Sequence, residues 1–184
     1  MRRFAVPSVV SAVVVALLVV LAFGVSNDGT TSALISQLHA GHHPIAPDSK
    51  MPLPLLGSSN GRKTLASLRG KVVMINFFAG WCDSCQAEAP QIRAAEAQLR
   101  ARGGTVLGVT FQDSSPDAMS FLARYHLSFP TLRDPTGAFA QAYGVYQIPQ
   151  TYIVGPKGDV QAETVVVTNG WLTKNLDLAL ARST

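Results

Sequence analysis

Two cysteines, Cys82 and Cys85, stand three positions apart in Trp81-Cys82-Asp83-Ser84-Cys85, and the 184-residue chain has no others. Two thiolates cannot complete a four-thiolate zinc site, nor can they build a multi-bridge framework. A bridge across so short a loop removes little entropy from the unfolded chain, so it is a poor staple. What remains is redox chemistry, in which the thiolate is the reactive species. At the start of a helix, unpaired backbone N–H groups and the helix dipole favour negative charge. Cys82 at such a start is expected to attack. Cys85, one turn later and more buried, is expected to resolve the mixed disulfide that results.

The flanking sequence supplies the elements this placement requires. Lys71 to Ala79 is an almost continuous apolar run, the pattern of a central strand buried on both faces, and Gly80 breaks it. Cys85 to Arg102 is rich in Ala, Gln, Glu and Arg and reads as a helix stopped by Gly103-Gly104, with Pro90 expected to kink it. Thr105 to Phe111 reads as a second strand. Ser115-Pro116-Asp117 starts a helix that runs to Tyr125, with His126 at its end, and Thr131-Leu132 is a short extended piece. Gly137 to Tyr143 reads as a short helix, Thr151 to Val154 and Val160 to Val167 as strands around a Pro156-Lys157-Gly158-Asp159 turn, and Trp171 to Arg182 as an amphipathic closing helix. The order βαβα followed by ββα predicts a mixed sheet covered by helices.

Composition sets the compartment. The hydrophobic fraction is 47%, enough for a core, and the net charge of +4 is thinly spread except at Arg2 and Arg3. No cluster of cations exists to neutralise phosphates, so nucleic acid is not an expected partner. After Met1-Arg2-Arg3 the chain is uncharged from Phe4 to Val25. A helix over 5–25 would cross about 30 Å of hydrocarbon, with the arginines left on the cytoplasmic side. The alternative is a cleaved signal peptide cut after Gly24. Either reading places the rest of the chain outside, where disulfides persist. The expected organisation is an anchor over 1–25, a flexible tether over 26–46 with a helical turn near Leu34 to Leu38, and one domain over 47–184.

Two motifs then carry a family resemblance. Asn76-Phe77-Phe78-Ala79-Gly80-Trp81-Cys82-x-x-Cys85-x-x-Glu88-x-Pro90 resembles the active-site segment of the TlpA/ResA-like branch of the thioredoxin superfamily. Phe129-Pro130-Thr131-Leu132, Tyr143-Gly144-Val145, Ile148-Pro149-Gln150-Thr151-Tyr152 and Lys157-Gly158-Asp159-Val160 resemble its second half, so the likeness covers residues 47–183. It implies a thioredoxin fold, a redox-active Cys82–Cys85 disulfide, and disulfide exchange with translocated proteins. Many members are reductases in cytochrome c maturation, recycled by a membrane electron-transfer partner. The resemblance further implies that Pro149 is a cis-proline opposite the cysteines. It implies that Ile148 offers its backbone to an extended substrate segment, that Trp81 forms part of the docking surface, and that Glu88 is an acid able to take a thiol proton. Two positions depart from the pattern. Ser84 stands where many relatives have proline, and Asn76 stands where cytoplasmic thioredoxins carry a buried aspartate, which leaves Glu88 as the proton acceptor.

The chemistry calls for no cofactor and no metal. Three further readings compete with a reductase: a disulfide-forming oxidant on the same fold, a copper-handling protein using both thiolates and a histidine, and a peroxidase. Against copper, His39, His42 and His43 fall on the expected tether, where a flexible chain would lose entropy to form a site. Against a peroxidase stand the resolving-type cysteine pair and the Trp81 motif.

Overall fold

The computed structural model describes residues 11, 13–20 and 29–182. The proposed anchor over 1–25 lies largely outside them. Residues 11 and 13–20 are helical, with Val13 to Val15 and Leu17 to Val20 exposed. No helix among the described residues is long and apolar enough to cross a membrane.

The apolar run at 71–79 becomes strand β3 (Val73–Phe78), buried at every position, after two short strands β1 (Leu53–Pro54) and β2 (Arg62–Lys63) and a 3-10 turn at Leu65–Leu68. The sheet is completed by β4 (Thr105–Phe111), β5 (Thr131–Asp134), β6 (Gln150–Val154) and β7 (Val160–Thr164) in the order β5-β4-β3-β6-β7. Parallel β3–β4 and β4–β5 pairs and antiparallel β3–β6 and β6–β7 pairs make it mixed, as expected.

Because side chains alternate along β3, Met74 and Phe78 enter one cluster while Val73, Ile75 and Phe77 enter the other. The first face is covered by α2 (Asp83–Ala101), α3 (Ser115–Arg124) and α5 (Asn169–Ala181), through Ile92, Leu99, Phe121 and Leu172. The second is covered by α1 (Gly29–His39) and α4 (Ala138–Ala142), with an aromatic group of Phe77, Phe139, Tyr143 and Tyr152. The polar side chain on β3, Asn76, is buried but satisfied, since its Nδ2 donates to Thr151 Oγ1 at 3.0 Å. His126 does sit at the end of α3. It adopts φ +54, with Leu127 N donating to Leu122 O at 2.9 Å to close the helix.

One expectation needs correction. The stretch read as a tether does not run free through 29–46. The expected helical turn near Leu34 to Leu38 is part of the longer helix α1, whose Leu34 is 7% exposed and belongs to the second cluster. The segment that follows runs along the edge of β7: Val160 N donates to Pro44 O and Ala46 N to Gly158 O, both near 2.8 Å. Backbone pairing at the start of this edge strand orders a polar segment.

Candidate active site

The register of β3 against its neighbours builds the site. Phe77 pairs with Gln150, so the chain leaving β3 through Ala79 to Cys82 emerges beside the chain entering β6 through Ile148 and Pro149. Cys82 is the N-cap of α2, with extended backbone, and its Sγ accepts the N–H of Cys85 at 3.1 Å. That N–H points at the sulfur that would carry charge in the reduced protein. Cys82 and Cys85 form a disulfide, with Cα atoms 5.2 Å apart. Both residues are buried, Cys85 at 3% and Cys82 at 6% exposure.

The peptide between Ile148 and Pro149 is cis, and the Ile148 carbonyl oxygen lies 3.8 Å from Cys82 Sγ. Trp81 is 56% exposed, and its indole N–H donates to Gln112 O at 3.1 Å. On the Cys85 side a groove of about 490 Å³ is lined by Ser84, Glu88, Gln91, Ile148, Pro149 and Val166 among others. On the far side of Trp81 a second recess, of about 340 Å³, lies against Gln86, Phe121, Arg124 and Tyr125. The structure therefore brings Cys82, Cys85, Ile148 and Pro149 together, with Trp81 on one flank and Glu88 on the other.

Glu88 reaches this place because it lies three residues after Cys85 on α2, nearly on the same face. It is 9% exposed. Its Oε1 accepts the N–H of Val167 at 2.5 Å, while Oε2 is buried without a partner. Burial pushes its carboxyl above the ordinary carboxylate value, and the Val167 N–H opposes this with the smaller effect. A carboxyl so placed keeps its proton to higher pH than an exposed one.

Sequence reasoning missed the partner of Glu88, because a backbone N–H 79 residues away leaves no trace in side-chain type. It also missed Gln86, Asp113 and Tyr125, which hold the loop before Cys82. For Asp113 a signal existed: it follows the C-terminal end of β4, where open α/β sheets place their sites.

The histidines read as belonging to the tether are not gathered at the sulfurs. Among the described residues no group of three His, Cys, Asp or Glu could hold a metal ion. His43 spends both ring nitrogens on the protein, one on Val160 O at 3.2 Å and the other on the Arg182 guanidinium. Arginine can only donate, so that second nitrogen is the acceptor and the first carries the proton. Val160 pairs with Val154, at the end of β6 remote from Pro149.

Comparison with known proteins agrees with this geometry. The model of a family described as AhpC/TSA matches residues 44–163. The thiol-disulfide oxidoreductase ResA of Bacillus subtilis is 28% identical over 144 residues, 78% of each chain. The thiol:disulfide interchange protein DsbE of Pseudomonas fluorescens is 33% identical over 115 residues, 61% of this chain and 62% of that one. The solved structure of dsbF from MTB, in its mixed oxidized and reduced forms, superposes with a TM-score of 0.64 at 27% identity, covering 72% of this chain and 96% of the other. The span over the first curated relatives ranges from 50% to 78% of their length.

Proposed function

Since this chain belongs to the AhpC/TSA family and is a thiol–disulfide oxidoreductase of thioredoxin-like fold, we propose that it reduces disulfides of translocated proteins through Cys82 and Cys85. The observation that carries this reading is the Cys82–Cys85 disulfide on the first turn of α2, with the Ile148 carbonyl 3.8 Å from Cys82 Sγ. In the dithiol state the Cys82 thiolate attacks one sulfur of a partner disulfide. A Cys82–partner bond forms and the partner's other sulfur leaves as a thiolate, which takes up a proton. Glu88 accepts the proton of Cys85, whose thiolate then attacks Cys82 Sγ. The partner departs as a dithiol, having gained two electrons, and the protein is left as the disulfide. A dithiol donor in the membrane returns it to the reduced state. An extended partner segment would lie against Ile148 and Pro149, pairing with the Ile148 backbone.

One feature supports reduction: Asp83 lies in the first turn of α2, and a carboxylate there disfavours a thiolate and works against the helix start and the Cys85 N–H, which favour one. A dithiol whose thiolates are disfavoured gives up electrons more readily. Cytochrome c maturation, which requires reduced thiols on translocated protein, is the process that the family resemblance suggests. Reduced protein mixed with insulin is expected to cleave its interchain disulfides, seen as turbidity. Insulin left intact at a stoichiometric excess of dithiol would defeat the proposal.

The location belongs to the same proposal. An exposed aliphatic helical stretch at 13–20, preceded by Arg2 and Arg3, is what a lipid environment would cover. We place residues 26–184 outside the cytoplasmic membrane, on a retained anchor. External protease added to intact spheroplasts should digest the domain, and full protection would contradict this placement.

A further inference from the structure

The loop between β3 and Cys82 is held by more bonds than the sheet or α2 requires. β4 ends at Phe111, and the next residue, Gln112, has φ +47. A residue with a long side chain in the left-handed region is strained, and persists only where its surroundings fix it. This turn aims two acceptors at the loop. The Gln112 carbonyl accepts the Trp81 indole N–H at 3.1 Å, and Asp113 Oδ2 accepts the Gly80 N–H at 2.7 Å. The other Asp113 oxygen accepts Ser114 N at 2.8 Å, and Ser114 caps α3, so the carboxylate is itself anchored. From the opposite side, Gln86 Nε2 donates to Gly80 O at 3.1 Å, and Tyr125 OH donates to Gln86 Oε1 at 3.2 Å. The Gly80 peptide is thus gripped at both ends and the Trp81 ring at a third point. Only glycine permits the close approach, because a Cβ at Gly80 would stand 2.7 Å from the Asp117 carbonyl oxygen.

We propose that Gln112 and Asp113 are positioning residues for disulfide exchange, latching Gly80 and Trp81 so that the exposed indole is a fixed plate beside Cys82. The proposal rests on the oxidoreductase reading. An unlatched tryptophan would sweep across the approach to Cys82 Sγ, and each docking event would have to order it again. Docking of a protein partner is therefore the step that feels the latch. A small disulfide, which needs no plate, feels it little.

The test is Asp113→Ala in the full chain, with Asp113→Asn as the conservative partner that keeps an acceptor for Gly80 N. Losing a charge-assisted hydrogen bond should lower kcat/KM for insulin by about tenfold, carried by KM, with Asn between Ala and wild type. The rate with oxidised glutathione should stay within about threefold. In a Trp171→Phe background, where Trp81 is the sole tryptophan, its fluorescence anisotropy should fall on Asp113→Ala. Unchanged anisotropy overturns the inference. So does an equal loss on insulin and glutathione accompanied by a lower unfolding midpoint, since that is a structural effect. A wild-type protein that fails to reduce insulin while the anisotropy still falls on Asp113→Ala would sink the reductase reading and leave the latch supported.

Discussion

Cys85→Ser is expected to accumulate covalent adducts with partner proteins, and Cys82→Ser to accumulate few. The reason lies in where α2 begins. Cys82 is the N-cap residue, its sulfur facing the Cys85 N–H, whereas Cys85 sits inside the first turn and is packed among Ala89 and Ile92. Attack by Cys82 forms a mixed disulfide that only a second thiolate can resolve at speed. Serine at 85 leaves that adduct standing, and serine at 82 prevents its formation. Either substitution should depress turnover by at least about a thousandfold, since the two sulfurs act as one unit. Non-reducing electrophoresis of cells carrying each variant reads the outcome. Adducts that form with Cys82→Ser and not with Cys85→Ser would reverse the assigned roles.

Glu88→Gln is expected to act on both stability and rate, with opposite signs at neutral pH. In the unfolded chain Glu88 ionises near its ordinary value of 4.5, while burial raises that value in the folded protein. Below 4.5 both states hold the proton and the folded state has its full stability. As pH rises through the raised folded value the unfolded chain has already released its proton, so stability is lost over that interval. Glutamine does not titrate, and its oxygen can still accept from Val167 N. The unfolding midpoint of Glu88→Gln should match wild type at acid pH and exceed it above neutrality. Exchange should become slower, by about a hundredfold in the step that frees Cys85, and its pH profile should flatten. A proton shared between Glu88 and Cys85 titrates as a pair, so the wild-type profile reports the pair and not one residue. Superimposable rate profiles for the two proteins would remove Glu88 from the chemistry while leaving its burial intact.

These expectations depend on contacts that the sequence disclosed unevenly. β3 and β4 were legible because a strand buried on both faces reads as an almost continuous apolar run, and α3 because Ser115-Pro116-Asp117 marks its start. Cys82, Cys85 and Glu88 share one helix, so their spacing alone set their relation, and the β3–β6 register brings Ile148 and Pro149 to them. What stayed hidden was set by backbone. The docking of α1 rests, among its described side chains, on Leu34 and the partly buried Leu38 in a polar segment, and on edge pairing by Pro44 and Ala46 through the main chain. The Val167 N–H that fixes Glu88 and the Gln112 carbonyl that fixes Trp81 are likewise main-chain groups. Side-chain type carries no record of where such groups point.

The central claim is that Cys82 and Cys85 form an exchangeable pair poised to give electrons. Equilibrating the purified full chain with glutathione buffers of graded ratio, and counting free thiols after acid quench, measures it directly. A two-electron transition is expected below about −200 mV, on the reducing side of strong disulfide-forming oxidants at about −120 mV. A midpoint close to that oxidant value would reverse the direction of the chemistry, and a pair that does not exchange with glutathione at any ratio would contradict the claim itself.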